Sequence, residues 1–294
     1  MQPIFDVPLL LERKRRALGR SVAGADFLMQ RAADDFSDRL GAVERKFAKA
    51  ASLFCQTPAA LEAMRASGKV AEAVRVEADP VFLGGAPGTV APPETVPFGE
   101  KSLDLAVSLL SLQAMNDIPG MLAQIRRALR PDGLFLGAFA GAGTLAELRE
   151  SLLAAETELY GGASPRVFPF PDVRDAGALL QRAGFALPVA DIETVVARYD
   201  TPFSLMADLR AMGETNSMLD RSRRPGSRRM FARAAEIYAE RFSDPDGRIR
   251  ASFSLVWMSG WAPDPSQQKP LRPGSAKVSL AKILENPSGL QERL

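Results

Sequence analysis

The sequence predicts an α/β protein built on a parallel sheet, and three observations predict it. The stretch from Ser102 to Phe139 reads SLDLAVSLLSLQAMNDIPGMLAQIRRALRPDGLFLGAF. Its apolar runs, Leu103 to Leu110 and Leu134 to Phe139, suit strands buried on both faces. Between them Ile118, Met121, Leu122, Ile125 and Leu129 recur at helical spacing. Strand, helix, turn, strand is a βαβ unit, and its crossover should be right-handed. The composition, 46% hydrophobic and 24% charged over 294 residues, is that of a globular chain with ample core.

Each element follows from local signals. Leu9 to Leu11 with Glu12 to Arg16 predicts an amphipathic helix with a cationic end. Phe27, Leu28, Ala32, Phe36 and Leu40 fall near one face of a second helix, over Ala25 to Val43. The first strand, loop and helix should span Ala50 to Met64. Thr57-Pro58 reads there as N-cap and first-turn proline. Val74 to Asp79 is a short strand. Pro80 to Pro97 is so rich in glycine and proline that no helix is expected. Asn116-Asp117 caps the central helix, whose C-terminal arginines, Arg126, Arg127 and Arg130, suit the helix dipole. Pro131-Asp132-Gly133 turns the chain.

Beyond that unit Thr144 should cap a helix through Glu158, ended by Gly161-Gly162. Glu147, Arg149, Glu156 and Glu158 on it read as salt-bridged surface. Asp172 should cap a helix ending at Gly184. Phe185 to Val189 and Ile192 to Tyr199 read as two antiparallel strands. Phe203 to Met212 and Phe231 to Phe242 read as helices, and Arg248 to Trp261 as the last long strand. The expected organisation is a helical cover over residues 1–45, a main domain over 46–262 and a tail over 263–294.

Composition excludes much chemistry. The chain has no histidine, so it holds neither a Ser-His-Asp triad nor a histidine-ligated metal. Its single cysteine, Cys55, allows no internal disulfide and no CxxC pair. The net charge of +2 argues against nucleic acid as a partner. The basic runs Arg13 to Arg16 and Arg221 to Arg229 read as solvated surface or as patches for an acidic protein. No stretch approaches the ~20 apolar residues of a membrane span, and the first residues lack signal-peptide order. A cytoplasmic protein is the expectation.

The buried strand with Asp104, its helix and the LRPDGLF turn resemble the back half of class I S-adenosylmethionine (SAM) methyltransferases. GTLAELRESLLAAETELYGGASPRVFPF, LLQRAGF, MADLRAMGETN and GSAKVSL narrow the match. They resemble the methyltransferase-like family of mitochondrial complex I assembly factors, described as protein arginine hydroxylases. The resemblance covers roughly Ser102 to Leu280, with Ile4 to Asp6 in addition. It implies a Rossmann-like class I fold with an N-terminal helical cover and C-terminal antiparallel additions. It also implies a protein partner, a respiratory complex I subunit; with no membrane span expected, peripheral association with a membrane stays open.

The resemblance also places the cofactor site. The family's D-x-G-x-G-x-G loop falls on Ser52 to Pro58, with Ser52 at the acidic position and Phe54, Gln56 and Pro58 at the glycines. None of the three is expected to supply glycine's freedom at positive φ. Glu77 or Asp79 would take the ribose, and Pro92 or Pro93 replaces the adenine-side acid. Ser111 and Gln113 stand at the carboxyl end of the central strand, with Gln113 where the family carries histidine. Glu214 and Asn216, in the GETN segment, are candidates for the substrate or partner side. Asp104 is expected to serve the fold. The expected cofactor is none, or SAM held weakly, with no metal and with catalytic residues unassigned.

Overall fold

The computed structural model describes residues 2–268. The described residues up to Pro263 form one compact unit. The GSAKVSL segment lies outside the described residues.

Seven strands form one sheet in the order β3-β2-β1-β4-β5-β7-β6. They are β1 (Phe47–Leu53), β2 (Val70–Glu77), β3 (Thr89–Val90), β4 (Leu103–Leu109), β5 (Leu129–Ala140), β6 (Ala186–Tyr199) and β7 (Ile249–Trp261). β1 to β5 run parallel, and β7 is inserted antiparallel between β5 and β6. This is the Rossmann-like arrangement expected for a class I methyltransferase, with its antiparallel addition at one edge.

The central unit forms as the apolar runs predict. Leu105 pairs with Ala50 on one side and Leu134 on the other, and is fully buried. The crossover helix α5 (Ile118–Ala128) starts on Asp117, whose carboxylate accepts from Gly120 N–H at 2.8 Å. Asn116 is not a cap. Its side-chain oxygen accepts from the Ile4 and Phe5 N–H groups at 2.8 Å and pins the N-terminal segment. Asp104 is structural: it accepts from Lys49 N–H at 2.8 Å and pairs with Arg130 at 2.9 Å.

Two helices, α1 (Val7–Arg20) and α2 (Phe27–Gly41), form the N-terminal cover. Their buried faces include Leu10 and Ala17 on the first, and Ala32, Phe36 and Leu40 on the second. The helix α3 (Ala59–Ala66) follows β1. Farther on come α6 (Ala146–Tyr160), α7 (Val173–Arg182), α8 (Pro202–Ala211) and α9 (Arg228–Phe242). Asp172 opens α7 with a reciprocal capping box shared with Asp175.

Four expectations are corrected. Pro80–Leu83 does form one helical turn, α4, because Asp79 caps it and Pro80 sits where no N–H is needed. The two strands expected after Gly184 are one continuous β6, whose pairing to β7 shifts register between Ala186 and Val189. Thr144 does not cap α6; its hydroxyl accepts from Ser254 N–H at 3.0 Å and donates to Ser254 C=O at 3.2 Å. Glu156 is not surface. It is 5% exposed and holds Arg166 at 2.6 Å and Ser164 N–H at 3.0 Å.

Candidate functional site

The loop after β1 keeps a glycine-like backbone without glycine. Phe54 has φ of 57° and Gln56 of 61°, both left-handed, whereas Pro58 is right-handed at −73°. The expectation that these residues could not take up positive φ is therefore corrected. Tertiary bonds hold them there. Phe54 N–H donates to Val76 C=O at 2.8 Å, the Gln56 N–H reaches the Glu77 carboxylate, and the Phe54 ring is buried. Such a conformation costs a side-chain-bearing residue about 1–2 kcal/mol. Gln56→Gly should therefore stabilise the protein by about 0.5–1 kcal/mol. A melting curve shifted upward by roughly 2 °C checks this.

The other residues of the loop are sealed. Ser52 is fully buried in β1. Cys55, also fully buried, accepts from Leu109 N–H at 3.2 Å, and burial pushes its thiol up to about 11. It is a small core residue, not a nucleophile.

Glu77 ends β2 and is 1% exposed. Its neighbour two positions back, Arg75, shares the same face of the strand and donates to it at 2.9 Å. The same guanidinium nitrogen donates to Phe82 C=O at 2.9 Å. Burial pushes the Glu77 carboxyl up to about 7; Arg75 and the Gln56 N–H oppose the rise without cancelling it. A folded value above the unfolded 4.5 means that folding takes up a proton. The stability Glu77 contributes is then full below about pH 4.5 and lost as pH rises through about 7, on the order of 3 kcal/mol in all. Denaturant melts across that window should show the decline, and Glu77→Gln should flatten it.

Two cavities lie at the carboxyl ends of the strands, where open α/β sheets bind ligands. The smaller holds about 50 Å³ and is bounded by Phe54, Gln56, Glu77, Pro93, Glu94 and Ser111. The Ser111 hydroxyl lies 2.7 Å from that of Ser108. The Glu94 carboxylate accepts from the N–H groups of Asn116 and Asp117 at 2.6 and 3.0 Å. The larger cavity holds about 880 Å³, under α1, α2 and α8. Gln56, Thr57 and Pro58 line it from the loop after β1, Gln113 from the turn after β4, and Glu214 and Asn216 from the segment after α8.

The expected substrate-side residues thus meet at one cavity. Gln113 is 6% exposed and donates to Leu110 C=O at 2.8 Å. Glu214 sits 3.5 Å from Lys14, which is 6% exposed on α1. Asn216 donates to Pro165 C=O at 2.8 Å and accepts from Met218 N–H at 3.1 Å. Gly213, at φ of 80°, lets this segment turn against the α1 backbone; a Cβ there would stand 3.0 Å from Lys14 Cα. Sequence reasoning missed Arg75 and Arg166, which also line the cavity. The signal for Arg75 was its place two residues before Glu77. Arg166 lies in a loop and gives no local signal.

Strain gathers at the same place. Among the described residues nine non-glycines have positive φ. Six of them, Ser21, Phe54, Gln56, Glu94, Leu110 and Leu145, line one cavity or the other. Such strain persists where the surroundings over-determine it, commonly around ligand sites.

The first basic run is spent within the chain. Arg13 donates to Asn216 C=O, Lys14 pairs with Glu214, Arg15 with Asp79 and Arg16 with Glu12. In the second run Arg221 pairs with Asp6 at 3.0 Å, whereas Arg223, Arg224, Arg228 and Arg229 are exposed. Among the described residues no helix is long and apolar enough to cross a membrane.

Comparisons with known proteins agree with this geometry. A methyltransferase-domain family model matches residues 47–137. The chain is 43% identical over 194 residues to the mitochondrial arginine-hydroxylase NDUFAF5 of Danio rerio, covering 66% of this chain and 60% of that protein. The human NDUFAF5 is also 43% identical, over 66% of this chain and 56% of its own length. The chain thus spans somewhat over half the length of these relatives. A malonyl-[acyl-carrier protein] O-methyltransferase of Xylella fastidiosa (strain M23) is 36% identical over 58% of this chain and 55% of its own. Among solved structures, the YcgJ protein of Bacillus subtilis superposes with a TM-score of 0.52 at 14% identity, over 80% of this chain and 99% of its own. The sheet order is that of the class I SAM methyltransferase fold, and the chain resembles methyltransferase domains over residues 47–137 and the arginine-hydroxylase NDUFAF5 proteins over 66% of its own length.

Proposed function

We propose that this chain acts by binding a protein partner, a respiratory complex I subunit, with SAM binding at the family position lost or reduced. One observation carries the reading. The space between Phe54, Glu77 and Ser111, where the family would hold the nucleoside, is about 50 Å³. A water molecule's share of liquid is about 30 Å³, and ligand pockets run to about 300–1,000 Å³. The acid that would accept from the ribose is buried and paired to Arg75, and burial pushes its carboxyl up to about 7. The residues present do not fit SAM in that pose.

The partner surface we infer is the exposed arginine cluster Arg223, Arg224, Arg228 and Arg229, which suits carboxylates on an acidic protein. Isolation of the chain with its partner from native cells tests the reading. Arg223→Ala with Arg224→Ala should weaken the complex several-fold. A partner recovered with arginines oxidised or residues methylated only when the chain is present would instead support the enzyme reading, carried by the NDUFAF5 name of the relatives. The working compartment we infer is cytoplasmic. The relatives are named mitochondrial, and cell fractionation distinguishes the two.

A further inference from the structure

We propose that the outer edge of β6 pairs antiparallel with β6 of a second copy of this chain, with Thr194 on the two-fold axis. β6 ends the sheet, and among the described residues β7 is its one strand neighbour. From Val189 to Tyr199 it runs in unbroken register with β7. Among the described residues no backbone hydrogen bond from outside β7 is made between Ala190 and Ala197.

An unpaired edge of that length templates association, and proteins commonly guard such edges with bulges, prolines or charges. β6 carries these guards at its start, where Leu187 has a φ of 49°, the register shifts and Pro188 lacks an N–H. Beyond that point its exposed face presents Ile192, Thr194 and Val196, with no charge before Arg198. Ile192 is 49% exposed and Val196 51%. The acids of the strand, Asp191 and Glu193, lie on the other face, where Arg39 and Arg31 of α2 engage them.

A second copy is the occupant that this pattern fits. Antiparallel pairing about a two-fold axis sets residues of the same face opposite one another, so the axis passes through one residue position. With the axis at Thr194, Ile192 faces Val196 of the other copy, and Thr194 faces its own counterpart. Such β-branched and threonine pairs stabilise antiparallel strands. On the other face Asp191 meets Ala197 and Glu193 meets Val195, so no like charges are opposed. With the axis one residue earlier, Glu193 would face Glu193; one residue later, Ile192 would face Arg198. The strand's own sequence therefore selects one register with itself. An unrelated extended peptide would gain the backbone bonds without this self-matching. The pairing does not depend on whether SAM binds.

Sedimentation velocity of the full chain over a concentration series tests the proposal, and a monomer–dimer equilibrium is the expected result. Thr194→Lys sets two cations opposite each other and should weaken the dimer about tenfold or more. The side chain is exposed, so the far-ultraviolet circular dichroism spectrum should not change. Mixing this variant with Thr194→Glu should restore the dimer, because in this register the two positions meet. Under mild oxidation Thr194→Cys should cross-link the copies. Ile192→Cys should not, since its counterpart stands four residues, about 14 Å, along the strand. Cys55 is fully buried and takes no part. A dimer that Thr194→Lys leaves intact, or equal cross-linking by both cysteine variants, would overturn the proposal. A monomer at every concentration would do so too. Hydrogen exchange would then give the edge to another segment of the chain if the β6 amides are protected, or to a different protein if they exchange freely.

Discussion

Leu105→Asp should abolish cooperative folding. Leu105 is fully buried at the centre of β4, between Ala50 on β1 and Leu134 on β5. Its side chain packs in the apolar layer with Phe36, Phe47, Leu136 and Trp257. An aspartate there loses the burial of a leucine, worth about 2–5 kcal/mol, and adds the cost of an uncompensated charge or of its protonation. The sum is comparable with the whole stability of an ordinary domain, about 5–15 kcal/mol. The neighbouring Asp104→Asn provides the contrast. It weakens a half-exposed pair with Arg130 but keeps an oxygen for Lys49 N–H, so its cost should stay near 1 kcal/mol. Thermal melts followed by circular dichroism read both. A Leu105→Asp protein with an unchanged melting temperature would refute the central placement of β4.

What could be read from the sequence, and what could not, divides along physical lines. The β4-α5-β5 unit was legible because continuous apolar runs and a 3.6-residue stripe are local patterns that burial alone enforces. Asp117 and Asp172 were legible as caps because a short carboxylate before an apolar helix has one obvious use. Asn116 was not, since its partners, Ile4 and Phe5, are more than a hundred positions away. The conformation of Phe54 and Gln56 was hidden for a related reason. Local preference argues against positive φ, but a buried ring and bonds to Val76 and Glu77 from the neighbouring strand outweigh about 1–2 kcal/mol of strain at each residue. Gln113, Glu214 and Asn216 were placed by resemblance on the substrate side, and they do line one cavity. Arg75 and Arg166, which line the same cavity, were not seen: a strand arginine two residues before Glu77 and a half-buried loop arginine both look like surface arginines until the fold closes over them.

SAM and S-adenosylhomocysteine are expected to bind with a dissociation constant on the order of 0.1 mM or weaker. A class I site needs backbone close to the ligand at the glycine loop and a free acid for the ribose. Here the backbone twist survives at Phe54 and Gln56, so loop shape is not the obstacle. The side chains are. The Phe54 ring is 6% exposed and bounds the smaller cavity, and Glu77 already holds Arg75 and the Gln56 N–H. Freeing Glu77 would strand a buried guanidinium. Losing each buried polar contact costs about 1–3 kcal/mol, and two such losses weaken a micromolar ligand by roughly 30- to 10⁴-fold. Phe54→Ala separates the two obstacles. If the ring alone blocks the site, the variant should gain affinity tenfold or more; if the Glu77–Arg75 pair also matters, the gain should stay small until Arg75 is changed as well. Isothermal titration measures all of these. Low-micromolar binding of either ligand to the parent chain would show that the loop rearranges around SAM, and would move the enzyme reading ahead of the partner-binding one.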